Sequence, residues 1–175
     1  LPWEAVPSQW LASAGVWEAL LPCLPLTATL RNLGRMTANG LLRPRSRAVA
    51  AVVKKIGDPG ALKAARVHPL SVLVALKTYE QGRGEKGSLT WVPDQRIVDA
   101  LNDAFYLSFQ AVTPTNKRWL LGLDVSGSMH SGEIAGMPGI SPAVATTAKV
   151  HVNATPSPVQ RRSIIALLVT SRESI

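Results

Sequence analysis

The chain has 175 residues, 46% of them apolar, and its 19 lysines and arginines outnumber 11 aspartates and glutamates for a formal net charge of +8. That length admits one domain or two small ones, and the single cysteine, Cys23, excludes an internal disulfide. The histidines, His68, His130 and His151, lack the helical spacing of a zinc site, and the longest apolar stretch, residues 19–30, is broken by Pro22 and Pro25 and too short to span a membrane. No basic n-region followed by an apolar h-region opens the chain, so the expectation is a cytoplasmic protein in which Cys23 is a small buried hydrophobe.

In chain order, Pro2 and Pro7 break the first residues, and Ser8 to Leu11 fit a single helical turn. Residues 16–21 read as a helix stopped by Pro22. Pro25 opens a second helix, on which Leu26, Leu30, Leu33 and Met36 recur at helical spacing and which Asn39 and Gly40 end. Arg31 and Arg35 stand one turn apart on another face, where they repel unless an anion or solvent relieves them. From Pro44 a third helix carries Val49, Val52, Val53 and Ile56 as one apolar stripe, and Lys54 and Lys55 suit the dipole of its last turn.

Residues 57–60 read as a turn and residues 62–67 as a short helix. Pro69 starts a helix to about Glu80 that is apolar on most sides and is expected to be central and buried, with His68 before it as a packing or capping residue. Residues 81–88 form a charged, glycine-rich loop without the Lys-Ser/Thr ending of a phosphate-binding loop. Pro93 then occupies an N1 position, and Ile97, Val98, Leu101, Ala104 and Phe105 make an amphipathic helix through about Ala111. Residues 113–116 break the pattern, which places a domain boundary there and gives domains of 1–113 and 114–175.

The positive charge is concentrated. Between Arg31 and Gly87 there are twelve basic residues and three acidic ones, whereas the remainder is nearly balanced. Such a segment is the electrostatic footprint of a polyanion binder, with a solvated, solubilising face as the plainer alternative. The candidate phosphate ligands are Arg31, Arg35, Arg43, Arg45, Arg47, Lys54, Lys55, Arg83 and Lys86.

Past the boundary, residues 117–124 have the form of a strand buried on both faces, followed by Asp124, Ser126 and Ser128. Alternation points the three toward one side, and Gly127 lets the backbone turn closely, so a hard divalent cation such as Mg2+ fits. The same residues also suit a turn in which Asp and Ser bond their own backbone. Ser126 lacks a nucleophile elbow and no motif places a base beside it, so no enzyme activity is expected.

Several blocks occur together in one order: Val16 to Leu21; Pro25 to Ala28 with Leu30 to Asn39; Ala65-Arg66-Val67-His68-Pro69; Ala104-Phe105-Tyr106; and Asp124 to Met129. In this order they resemble the Ro 60 kDa ribonucleoprotein family, in which a TROVE module precedes a von Willebrand factor A domain. The resemblance implies a mainly α fold: the C-terminal part of a HEAT-like helical-repeat module that binds non-coding RNA, followed by the truncated start of an α/β A domain. It further implies that Asp124, Ser126 and Ser128 are a partial metal-ion-dependent adhesion site for Mg2+ or a related cation. Protein partners reached through that A domain, without an RNA role, are the alternative function. Residues 149–165, with Pro156 and Pro158, interrupt a helix that the resemblance makes continuous, and read as an insertion.

Overall fold

Several of the helices begin on a side chain that accepts a backbone N–H, the chemistry that satisfies the first orphan donors of a helix. Ser46 Oγ accepts from Val49 N at 3.2 Å, Asp58 Oδ1 from Gly60 N at 2.8 Å and Ala61 N at 3.2 Å, His68 Nδ1 from Leu70 N at 3.1 Å, and Asp94 Oδ1 from Arg96 N at 2.9 Å. In the computed structural model, which describes residues 3–84, 88–112, 127–134 and 140–144, the helices are α1 (Ala14–Leu20), α2 (Leu26–Ala38), α3 (Arg47–Ile56), α4 (Pro59–Ala64), α5 (Pro69–Glu80) and α6 (Gln95–Ser108). Short 3-10 turns lie at Trp3–Ala5, Trp10–Ala12, Phe109–Ala111 and Gly127–His130. Among the described residues there is no strand; Arg83 and Thr90 form an isolated antiparallel bridge.

The fold is mainly α, as expected. By its internal packing the chain divides into two units, Leu1–Ala111 and Val112–Ile175. The first unit is built around α6, which packs against α5, α3 and α4, while α2 packs against α5 and α3. The predicted stripes face inward: Leu33 and Met36 on α2, Val49, Val52 and Ile56 on α3, and Ile97, Leu101 and Ala104 on α6 are essentially inaccessible. Each such burial contributes roughly 1.5–3 kcal/mol for the larger aliphatics.

Three of these helices end in one motif, in which a left-handed residue one past the C-cap turns the chain back onto the last carbonyls. After α2 the residue is Gly40, with φ +83° and Gly40 N bonded to Thr37 O. After α5 it is Gly82, with φ +68° and Gly82 N bonded to Tyr79 O. After α4 it is Arg66, at φ +48°, with Arg66 N bonded to Lys63 O at 3.1 Å and Val67 N to Leu62 O at 3.1 Å.

Several local expectations are corrected. α3 starts at Arg47 and not near Pro44, because Arg45 takes a left-handed φ of +64° and Ser46 caps the helix. α4 begins at Pro59, since Asp58 and Pro59 are cap and first residue of a helix and not the corners of a turn. α6 is capped by Asp94, which puts Pro93 outside it. Cys23 is exposed, in the loop after α1, and is not a buried hydrophobe.

Candidate nucleic-acid interface

Tyr79 fixes α5 against its neighbours. Thr37 has one hydroxyl proton and donates it to Leu33 O at 2.9 Å, so at 3.1 Å the Tyr79 hydroxyl donates to Thr37 and in turn accepts from Asp94 N at 3.2 Å. The result is a one-way relay from the start of α6 through α5 into α2. Burial pushes the Tyr79 phenol above its usual pKa and the Asp94 carboxylate adds to this, against the opposing hydrogen bond from Asp94 N.

Trp91 stacks on Tyr79 with centroids 6.2 Å apart, and its Nε1 donates to Tyr79 O at 3.0 Å. Its ring lies directly on Gly34 of α2, where a Cβ would stand 2.6 Å from Cζ3 and 2.7 Å from Cζ2. Gly34 is therefore the notch that admits the indole.

Between α2 and α5, bounded by Trp91, lies an open groove of about 740 Å³. α2 lines it with Thr27, Leu30, Arg31 and Arg35, the turn after α4 with Arg66 and His68, and α5 with Ser71, Val74, Ala75 and Thr78. α5 is thus not buried on most sides: Val74, Ala75 and Thr78 are half-buried and face the groove. No lining residue is acidic, and among the described residues Arg31, Arg35 and Arg66 form no ion pair. His68 uses Nδ1 as the cap acceptor, which leaves Nε2–H as its donor. Thr78 Oγ1 and Trp3 Nε1, on two further lining residues, are buried without a hydrogen-bond partner.

The sequence candidates separate into groups. Arg31 and Arg35 meet in the groove. Arg43, Arg45 and Arg47 are exposed around the turn before α3, Lys54 is exposed at the end of that helix, and Arg83 is exposed after α5; none of these lines the groove. Lys55 is engaged internally, with Nζ donating to Leu21 O at 3.3 Å and to Leu24 O, and burial lowers its pKa against an opposing effect of Cys23. Its ammonium is thus committed to two backbone carbonyls, unlike that of Lys54. Lys86 lies outside the described residues.

Arg66 and Trp91 are not among the sequence candidates. Arg66 follows an ordinary short helix, and what sets it apart is a cation where a glycine would end that helix. Trp91 is tied to Gly34 by a packing that no local spacing encodes.

Of the metal set, Asp124 and Ser126 lie outside the described residues. Ser128 is exposed on the Gly127–His130 turn, its carbonyl accepting from Ser131 N at 3.2 Å and Ser131 Oγ at 2.7 Å. Among the described residues no three His, Cys, Asp or Glu side chains gather to hold a metal. No described helix is long and apolar enough to cross a membrane.

The TROVE domain profile matches residues 2–78 and 76–117. The RNA-binding protein RO60 of Deinococcus radiodurans is 48% identical over 149 residues, which cover 85% of this chain and 28% of that one. The RNA-binding protein RO60 of Caenorhabditis elegans is 47% identical over 129 residues, covering 73% of this chain and 20% of that one. The crystal structure of the Deinococcus radiodurans RO (RSR) protein superposes with a TM-score of 0.81 at 47% identity, over 87% of this chain and 31% of that one. The chain thus spans less than a third of the length of these relatives. With the profile covering most of the helical unit and the fold shared with a Ro protein, the chain belongs to the TROVE domain family.

Proposed function

We propose that this chain is the RNA-binding part of a Ro-type ribonucleoprotein, one that holds non-coding RNA through its phosphates in the cytoplasm and catalyses no reaction. The observation that carries the reading is the state of the arginines: Arg31, Arg35, Arg43, Arg45, Arg47 and Arg66 are all exposed and without an ion pair among the described residues. Unneutralised guanidiniums at this density repel one another, and a polyanion removes that repulsion while releasing its own counterions. The relatives named for RNA binding point the same way. The test is a salt titration of binding to a labelled structured RNA. Affinity should fall steeply and linearly on a log–log scale, with a slope of roughly 0.7–0.9 per phosphate engaged. An affinity that does not change with salt, or no binding at low salt, overturns the proposal.

A further inference from the structure

We propose that Ser46 is a phosphoacceptor site for an arginine-directed serine/threonine kinase, and that the phosphate, once on Ser46, is seated by the start of α3 and the guanidiniums of Arg43, Arg45 and Arg47. This stands apart from the RNA-binding reading and does not depend on it.

The local sequence is Arg43-Pro44-Arg45-Ser46-Arg47, one hydroxyl among three arginines, and no acidic residue occurs between Glu18 and Asp58. A kinase cleft lined with carboxylates reads such a pattern of charge around its acceptor. The segment is placed to be read. Arg43, Arg45 and Arg47 are exposed and without an ion pair among the described residues, and Ser46 is half-buried. Ser46 N bonds to Arg43 O at 3.0 Å, which closes a turn with Pro44 and Arg45 at its corners. A turn with proline at the first corner and a positive φ at the second favours glycine there, yet the second corner holds Arg45 at φ +64°. A cation is thus kept beside the acceptor despite backbone strain, as at positions that serve recognition. The hydroxyl itself is held loosely, donating to Leu41 O at 3.5 Å and accepting from Val49 N at 3.2 Å.

α6 shows what α3 lacks. Its cap, Asp94, is a carboxylate whose Oδ1 accepts from Arg96 N at 2.9 Å and lies 3.6 Å from Arg96 Nε. That cap neutralises an arginine of the first turn and supplies the negative charge that a helix start favours. α3 also opens on an arginine, Arg47, but its cap is the neutral Ser46. A phosphate on Ser46 supplies the missing anion, with a charge of about −1.5 to −2 and three acceptor oxygens for Val49 N and the neighbouring guanidiniums. In the transfer, Ser46 Oγ forms a bond to the γ-phosphorus of ATP while the bond from that phosphorus to the β,γ-bridging oxygen breaks. ADP leaves with that electron pair, and the Oγ proton passes to the catalytic carboxylate of the kinase. A corner of the surface with three positive charges becomes one with a net charge of roughly +1.

The test treats the full 175-residue chain with ATP and the isolated kinase domain of protein kinase C, an arginine-directed enzyme. Mapping by tandem mass spectrometry should place phosphate at Ser46, with Ser163, the other serine directly behind an arginine, as internal comparator. Ser46→Asn, which keeps a good cap but offers no hydroxyl, should lose that phosphopeptide while its circular dichroism stays that of the parent. Arg43→Gln/Arg45→Gln should slow incorporation by roughly tenfold or more, as expected when charge-assisted contacts to the kinase are removed. The phosphorylated chain should melt about 1–4 °C above the unmodified one, and the gain should shrink as salt is added. The phosphoserine 31P resonance should titrate below its ordinary value of about 6, because guanidiniums and helix N–H groups favour the dianion.

Phosphate at Ser163 with none at Ser46, equal incorporation at Ser46 by an acid-directed kinase, or modification of Ser46 only in urea overturns the site. A Tm that does not rise on modification, or a 31P titration at the ordinary value, overturns the seating of the phosphate and the proposal with it.

Discussion

Arg66→Gly should make this protein more stable. The residue sits at φ +48° in the turn that closes α4, and a left-handed backbone costs an L-residue with a Cβ about 1–2 kcal/mol. Glycine removes that cost but brings a more flexible unfolded chain, which takes back about 0.5–1 kcal/mol. The guanidinium is exposed and without an ion pair among the described residues, so its deletion removes no stabilising interaction. The backbone bonds of the motif, Arg66 N to Lys63 O and Val67 N to Leu62 O, do not depend on the side chain. The net expectation is a gain of about 0.5–1 kcal/mol, or about 2–4 °C in Tm for a unit of this size. Thermal unfolding followed by tryptophan fluorescence reads it, with Arg66→Ala as the companion. Alanine retains the Cβ and its strain, so its Tm should stay near that of the parent. A Tm for Arg66→Gly at or below the parent's, or an equal gain in both variants, would refute the assignment of the cost to backbone conformation.

Gly34→Ala should do the opposite: the added methyl would meet the Trp91 ring at 2.6–2.7 Å, so the indole must leave Tyr79, at a cost of about 1–3 kcal/mol and with a red shift in tryptophan emission. Tyr79, whose folded pKa is raised, binds its proton more tightly in the folded state; its stabilising contribution is complete below the unfolded value of about 10 and is lost as pH rises through the folded value. Tyr79→Phe should therefore be less stable than the parent at neutral pH and should lose less of its stability between neutral and strongly alkaline solution, as urea denaturation at a series of pH values would show. Cys23, being exposed, should react with Ellman's reagent in the native protein at a rate close to that of a free thiol, and labelling that appears only on unfolding would contradict its placement.

Much of the helical unit is legible in the sequence because it rests on apolar periodicity, which a sequence states directly. The stripes of α2, α3 and α6 are buried as their spacing requires, save Val53 on α3, which is half-buried, and the stop at Asn39 and Gly40 falls where α2 ends. What stays hidden depends on where polar and strained groups go. The start of α3 is displaced from its expected place because Arg45 adopts a conformation that sequence rules reserve for glycine or asparagine. Lys55 looks like its neighbour Lys54, and only the return of the chain past Leu21 and Leu24 turns its ammonium inward. The groove is legible by half. Arg31 and Arg35 announce themselves as a pair on one helix, whereas Arg66 and Trp91 join them from 31 and 56 residues beyond Arg35 by packing alone. The apolar run of α5 suggests burial, because hydropathy does not distinguish a side chain covered by protein from one that floors a cleft.

The relay through Tyr79 also bears on mechanics. Apolar side chains that touch slide past one another at little cost, so a cleft walled only by them would change width with every thermal fluctuation. Here a single phenol oxygen is held from two directions, by Asp94 N at the entry to α6 and by Thr37 on α2. Two anchors on one rigid ring leave α5 neither free to rotate about its axis nor free to slip along it without breaking directional bonds in a buried setting. α2 and α5, the two walls of the groove, are thus braced like members of a truss. The spacing of these two helices is thereby tied to directional bonds and not to apolar contact alone.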